Sequence, residues 1–315
     1  MADYRLGIDF GGTKIEIAVL DRSGALVLRE RVPNPGIYQD AVIAVRDFVF
    51  DVEARLNAAP FQNKSSGKST TSLGIGIPGA ISPETGLVKN ANATWLNHQP
   101  FGRDLDTALQ RQVRVENDAN CFALSEASDG AGAGQRVVFG VILGTGMGGG
   151  IVCEGKVIGG RHSIAGEWGH MPLPWLRKEE FPLPRCFCGN EGCLERYLCG
   201  ASLAQDWKGV GHRNTAGIEQ AAAEGDIDAA RALDRYVDKL SRACAMIINF
   251  LDPDMIVLGG GVSNLSSLYE RVPPLLQRHV ITPTCTTPIV QNMHGDSSGV
   301  RGAAWLWPVD AGVTS

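Results

Sequence analysis

One imidazole and three thiols carry the most legible chemistry in this chain. GEWGH at 166–170 is followed by CFCGNEGCLE at 186–195, which aligns His170, Cys186, Cys188 and Cys193 as candidate ligands. Three thiolates and a neutral imidazole form a closed tetrahedral set for Zn²⁺, the arrangement of structural rather than catalytic zinc. The C-x-C spacing speaks against disulfides, because cysteines two positions apart close a strained ring. Gly189 and Gly192 supply the positive φ that lets a chain fold back around a metal. Glu167 and Glu195 flank the ligands, so a zinc knot here would also fix two carboxylates. The other five of the eight cysteines, Cys121, Cys153, Cys199, Cys244 and Cys285, sit in apolar contexts and read as packing.

Two aspartates are the next candidates. The run from Val113 to Asn120 reads as a strand that delivers Asn117 and Asp118 to a helix start. An aspartate there is at home as an N-cap. Beside a substrate hydroxyl, it could instead take the proton as that oxygen attacks phosphorus. Asp9 stands at the end of the first strand, just before Gly11, Gly12, Thr13 and Lys14. It could hold Mg²⁺ next to nucleotide phosphates, or it could cap the turn. Lys14 could neutralise phosphate or be an exposed strand residue.

These side chains need a scaffold, and the pattern of apolar residues supplies one. Strands are expected at 5–10, 15–21 and 25–32, and a helix with apolar residues at helical spacing over 38–57. Another strand runs through Leu73–Ile77. The second half repeats the opening: a strand at Val137–Leu143, a glycine turn over 144–150, including Gly144, Thr145 and Gly146, and a returning strand at 151–153. Two strand–glycine–strand units imply a duplicated fold whose halves each offer backbone N–H groups to phosphate. Residues 226–250 carry a buried stripe (Leu233, Val237, Leu240, Cys244, Ile247) of a long amphipathic helix. A strand at 255–258 then runs into Gly259, Gly260 and Gly261, with a helix expected from about Asn264, a ready approach for phosphate or ribose. A last helix is expected near 300–307. The polar stretch 63–71 reads as a surface loop. Its Gly-Lys-Ser is no nucleotide loop, because Gln62 stands where that motif needs glycine.

Composition narrows the classes. The 315 residues allow two domains with full cores, and 44% hydrophobic with 20% charged residues is ordinary for a globular protein. Glycine is in excess, 39 residues or about 12%, where roughly 7% is usual. A net charge of −5 is a poor footprint for nucleic acid. No apolar run is long enough to span a membrane, and the opening residues have no secretion-signal core. Reduced thiols in a cytoplasmic protein are the expectation.

The motifs together resemble the ROK sugar kinases. The likeness lies in LGIDFGGTK at 6–14, IGIPG at 75–79, ENDAN at 116–120, LGTGMGGG at 143–150 and the cysteine segment, and it extends from residue 5 to about 307. Within that family, ISPETGLVKNANATWLN at 81–97 and HGDSSGVRGAAWLWP at 294–308 look most like bacterial fructokinases. The N-acetylglucosamine kinases share ENDANCFALSEA nearly as well.

The resemblance implies an α/β, actin-like (ribonuclease H-like) duplicated two-domain fold with a ligand cleft between the lobes. One lobe would comprise 1–117 and about 300–315, the other 118–299 with the zinc segment. It implies an ATP-dependent hexose kinase acting on the 6-hydroxyl of fructose, with mannose or glucose as weaker substrates. Asp118 matches the general base. Gly79, Asn92, Asn117, Glu167, His170 and Glu195 match the sugar-binding positions, His170 also ligating zinc. Gly11 to Lys14 and Gly144 to Gly146 match phosphate loops and Gly259 to Gly261 the adenosine loop, and phosphoryl transfer implies Mg²⁺. The implied partners are ATP, Mg²⁺, structural Zn²⁺, a hexose and a second copy of the chain, with no nucleic acid or membrane. Two alternatives belong to other classes. A ROK-type repressor would carry a helix-turn-helix before a first strand that here starts by residue 5. A non-catalytic sugar sensor would have lost groups that this chain retains. N-acetylglucosamine kinase is the alternative within the same chemistry.

Overall fold

The computed structural model describes residues 2–58 and 70–307. Most of the stretch read as a surface loop, 63–69, lies outside the described residues. The strands are β1 (Tyr4–Phe10), β2 (Lys14–Asp21), β3 (Leu26–Pro33), β4 (Thr71–Ile77), β5 (Ala80–Ile81), β6 (Val88–Lys89), β7 (Arg114–Asn117), β8 (Val137–Leu143), β9 (Met147–Cys153), β10 (Lys156–Val157), β11 (Met255–Gly259) and β12 (Ile289–Gln291). The helices are α1 (Tyr38–Leu56), α2 (Phe101–Leu109), α3 (Asp118–Asp129), α4 (Glu195–Leu198), α5 (Gly200–Lys208), α6 (Ile218–Ala223), α7 (Ile227–Leu251), α8 (Ser267–Arg271), α9 (Pro273–Leu276) and α10 (Ser298–Trp305).

Two five-stranded sheets share one plan. The first has the order β3-β2-β1-β4-β7, the second β10-β9-β8-β11-β12. In each, the first three strands pair antiparallel and the last two join in parallel. The parallel joins need crossovers, which α1 and α2 provide in the first sheet. This repeat is the duplication expected from the two glycine hairpins, and the fold is the actin-like α/β fold.

Contacts divide the described chain into two units. The first holds the residues up to Asp129, Gly159–Ile164 and those from Ser297 onward; the second holds Gly130–Ile158 and Ala165–Asp296. The first stretch of the first unit runs through α3 to Asp129. The reason is that α3 packs along α10. Ser298 Oγ donates to Glu126 Oε1 at 2.8 Å between them.

In the first unit Leu6, Ile8 and Phe10 of β1 and Leu73, Ile75 and Ile77 of β4 are buried with Val45, Val49 and Val52 of α1. The opposite sheet face meets α10 at backbone distance. A Cβ on Gly7 would stand 2.0 Å from Val300 O, and one on Gly74 1.9 Å from Ala303 O. Glycine at both positions lets the helix lie directly on the strands.

The second unit is organised by α7. Asp226 caps it, accepting from Asp228 N at 2.9 Å and Ala229 N at 3.0 Å, and the chain leaves it through Asp252 at φ +48°. The stripe predicted from sequence is buried along its whole length. Arg242 on this helix has a side chain with no exposure; it pairs with Glu180 and donates to Pro174 O at 3.0 Å and Trp175 O at 2.9 Å. It thus ties the segment preceding the cysteines to the core. Among the described residues, no helix is long and apolar enough to cross a membrane.

The candidate active site

β7 ends and α3 begins at the Asn117–Asp118 step. Asn117 caps the helix: its Oδ1 accepts from Ala119 N at 2.9 Å and Asn120 N at 3.2 Å. The capping role considered for Asp118 therefore belongs to its neighbour. Asp118 is exposed on the first turn, where its Oδ1 accepts from Ala119 N at 2.8 Å. A carboxylate there also gains from the helix dipole.

Asn117 Nδ2 donates to Gly79 O at 3.0 Å, which leaves one amide hydrogen for a ligand. Gly79 has φ +107°, and a Cβ there would lie 2.5 Å from Lys89 O and 2.8 Å from Ala91 N. Only glycine admits the passing segment that carries Asn92. The first unit thus gathers Asp118, Asn117, Gly79 and the 89–92 segment into one cluster.

Asp9, elsewhere on the same sheet, lies directly opposite Glu16 of β2. Arg29 and Arg31 from β3 both pair with that glutamate. Burial, reinforced by the Glu16 charge, raises the Asp9 carboxyl to about 6. Beyond it the Gly11–Lys14 hairpin closes with Gly11 N donating to Lys14 O at 2.9 Å. Asn34, which the sequence reading passed over, braces that hairpin: its backbone N–H donates to Thr13 O at 2.9 Å and its Nδ2 to Gly11 O at 2.8 Å. Gly12, Thr13 and Lys14 are exposed at the tip.

The second unit assembles the sulfur cluster. The ligand atoms of His170, Cys186, Cys188 and Cys193 all lie within 4.8 Å of one another. Cys186 Sγ is 3.6 Å from His170 Nδ1, and Cys188 Sγ is 3.6 Å from Cys193 Sγ. Ligands 2.0–2.3 Å from one tetrahedral zinc are themselves about 3.5–3.8 Å apart, so both spacings fit the ion. Gly189 and Gly192 have φ +96° and +76°, as the fold-back requires. Burial, with Cys188 and Cys186 beside it, pushes the Cys193 thiol up to about 12. A divalent cation would resolve that crowding by taking all three sulfurs as thiolates. With Nδ1 turned to the sulfurs, Nε2 of His170 is the nitrogen that remains for a second partner.

Glu195 starts α4 two residues after Cys193, and its Oε2 accepts from Met147 N at 3.1 Å. A Cβ on Gly146 would stand 2.9 Å from that oxygen. Gly146 thus makes room for Glu195. Glu167 is exposed just before the 3₁₀ turn Trp168–His170. The glycine turn read as 144–150 is shorter than expected, since β9 already begins at Met147. Its glycines admit other chain: a Cβ on Gly149 would meet Trp168 Cδ1 at 2.8 Å and Gly166 O at 2.9 Å.

A cavity of about 810 Å³ opens in this unit, lined by Gly144, Thr145, Gly200, Gly261 and the segment from Arg213 to Gln220. Gly260, at φ +82°, precedes the lining residue Gly261, and a Cβ on it would come within 2.6 Å of Leu143 O. Buried Gly259 ends β11. The helix expected near Asn264 is a 3₁₀ turn, Gly261–Asn264, with α8 following from Ser267. Gly200 N donates to Gly144 O at 2.8 Å and so anchors α5 to the glycine turn. Sequence reading missed Gly200 and the 213–220 segment. The signal was a polar, glycine-punctuated stretch between two helices, the kind of loop that carries ligand contacts.

Comparison with known proteins now adds to this geometry. An N-acetyl-D-glucosamine kinase of Escherichia fergusonii is 40% identical over 307 residues, spanning 95% of this chain and 98% of its own. One from Escherichia coli O139:H28 is 39% identical over 311 residues, spanning 96% and 99%. Among solved structures, a ROK hexokinase from Thermus thermophilus superposes with a TM-score of 0.81 at 28% identity, covering 96% of this chain and 97% of its own. A ROK family glucokinase from Streptomyces griseus, solved with glucose and AMPPNP, gives 0.72 at 28% identity, covering 96% and 98%. The sequence profile of the ROK family matches residues 5–309, and this chain is a member of that family.

Proposed function

We propose that this protein is an ATP-dependent N-acetylglucosamine kinase that phosphorylates the sugar's 6-hydroxyl. The observation that carries the reading is Asp118, exposed on the first turn of a helix that Asn117 caps in its place. Fructose, the sugar expected from sequence, gives way to N-acetylglucosamine because the relatives at 39–40% identity over nearly their full length carry that name.

Asp118 would take the proton of the 6-hydroxyl as its oxygen attacks the γ-phosphorus of ATP, and ADP would leave. Asn92, Asn117 and Gly79 from the first unit and Glu167, Glu195 and His170 Nε2 from the second would hold the sugar hydroxyls. The cavity of about 810 Å³ falls in the range of small-molecule sites and would take the nucleoside. The Gly11–Lys14 and Gly144–Gly146 turns would present backbone N–H groups to its phosphates. Asp9 would hold the Mg²⁺ that accompanies ATP and neutralises phosphate charge. Zn²⁺ on His170, Cys186, Cys188 and Cys193 would be structural, fixing Glu195 and the histidine ring. A second copy of the chain and a cytoplasmic setting complete the proposal.

Initial rates of ADP release with Mg-ATP test the choice of sugar. N-acetylglucosamine is expected to give the highest kcat/KM in a panel with N-acetylmannosamine, glucose, mannose and fructose. A tenfold preference for fructose would return the assignment to the first expectation, and silence with every sugar would revive the sensor.

A further inference from the structure

A second, smaller cavity of about 180 Å³ lies among α4, α5 and α7, lined by Arg196, Tyr197, Ser202, Leu203, Asp206, Tyr236 and Lys239. None of these residues has a part in the phosphoryl-transfer site above. The charges around it do not balance. Asp206 accepts from Nε and Nη2 of Arg235, each at 2.9 Å, Glu180 pairs with Arg242, and Asp238 pairs with Arg177 at 2.6 Å. Each nearby carboxylate thus has its own guanidinium. Arg196 and Lys239 are left over, with no salt bridge among the described residues, so once Asp206 is matched by Arg235 two cations remain unpaired on the cavity wall.

The apolar wall is equally specific. The Lys239 ammonium sits 5.5 Å from the Tyr197 ring, and the buried Tyr197 hydroxyl has no hydrogen-bond partner among the described residues. Burial, the largest influence on it, lowers the Lys239 ammonium from its ordinary range, with Asp206 and Glu180 pulling the other way. A bound anion would offset that cost, as an opposite charge close to a half-buried ammonium does.

We propose that this cavity is a binding site for a phosphate dianion, free or carried by a sugar phosphate, held between Arg196 and Lys239. Planar guanidinium and point-charge ammonium groups together suit a tetrahedral oxyanion. Tyr197, Leu203 and Tyr236 give a ring-lined floor for whatever carries the phosphate. The site would communicate with α4, since Arg196 follows Glu195 directly and Ser202 Oγ donates to Glu195 O at 3.4 Å.

Calorimetric titration with inorganic phosphate and, separately, glucose 6-phosphate tests this without any turnover, so it stands apart from the kinase reading. Wild type should show a binding step that weakens at least about tenfold in Lys239→Met and Arg196→Gln, the loss expected for one charge-assisted contact. Lys239→Arg, which keeps charge and fold, should retain it. The ligand whose step is lost in the charge-removing variants identifies the source of the phosphate. Equal affinities in all four proteins, or no binding step for either ligand, would overturn the proposal.

Discussion

The contact between α10 and α3 makes a sharp prediction, because the helix that begins at Asp118 leans on a bare backbone. A Cβ added at Gly302 would lie 1.6 Å from Cys121 O and 2.4 Å from Cys121 C. The closest ordinary approach of carbon to a carbonyl oxygen is about 3.3 Å, so Gly302→Ala must part the helices by about 1.7 Å. Neither partner is a flexible side-chain end that could swing away. Overpacking of this kind costs about 1–3 kcal/mol, and a backbone clash belongs at or above the top of that range. Cys121 is one turn beyond Asp118, so displacement of α3 also misplaces the proposed base. A shift of about 1 Å in such a group costs roughly 10²-fold in rate. The neighbouring Gly299 is the control: a Cβ there meets nothing within 4 Å. Gly299→Ala should be neutral, or gain up to about 1 kcal/mol from helix propensity. Urea unfolding of both variants, with kinase rates on the folded fraction, reads both effects. Gly302→Ala as stable as wild type, or no worse than Gly299→Ala, would refute the packing argument.

Three further outcomes are expected. Asp118→Asn should lower kcat by about 10²–10⁴-fold while leaving calorimetric sugar affinity nearly unchanged; a near-normal rate would remove Asp118 as the base. Purified protein should contain one zinc per chain, and Cys188→Ser should lower both thermal stability and sugar affinity, because Cys193 anchors Glu195; a stable zinc-free preparation would contradict this. Asp9 rises from 3.8 to about 6 in the fold, so folding takes up a proton between about pH 4 and 6, and the charged form weakens the fold above that window. Asp9→Asn should therefore match wild type near pH 4 and exceed it by on the order of 3 kcal/mol at pH 7.5 without magnesium, a difference that chemical unfolding at the two pH values measures.

What sequence could reveal here follows from what each signal encodes. Ligand chemistry is local, so the convergence of His170, Cys186, Cys188 and Cys193 was legible from residue type and spacing. Periodicity placed α7 within a residue at each end and both hairpins closely, because burial imposes it on one element at a time. Glycine was legible as a type but not as a role. Gly148 to Gly150 read as turn yet lie in β9, and Gly146 serves Glu195, a residue far along the chain. The cap fell on Asn117 rather than Asp118 for a similar reason, since local sequence offers two acceptors and only the fold selects one. The 213–220 segment carries only the general signal of a polar, glycine-punctuated loop, and which cavity it lines depends on tertiary structure.

The central claim is transfer of a phosphoryl group from ATP to the 6-hydroxyl of N-acetylglucosamine. The proton-coupled ³¹P spectrum of the reaction product tests it most directly. A phosphate on the 6-oxygen is flanked by a methylene, so the account predicts a new phosphomonoester triplet, formed with wild type and Mg-ATP and nearly absent with Asp118→Asn. A doublet would place the phosphate on a ring carbon bearing one hydrogen, and no ATP-dependent phosphomonoester at all would contradict the account.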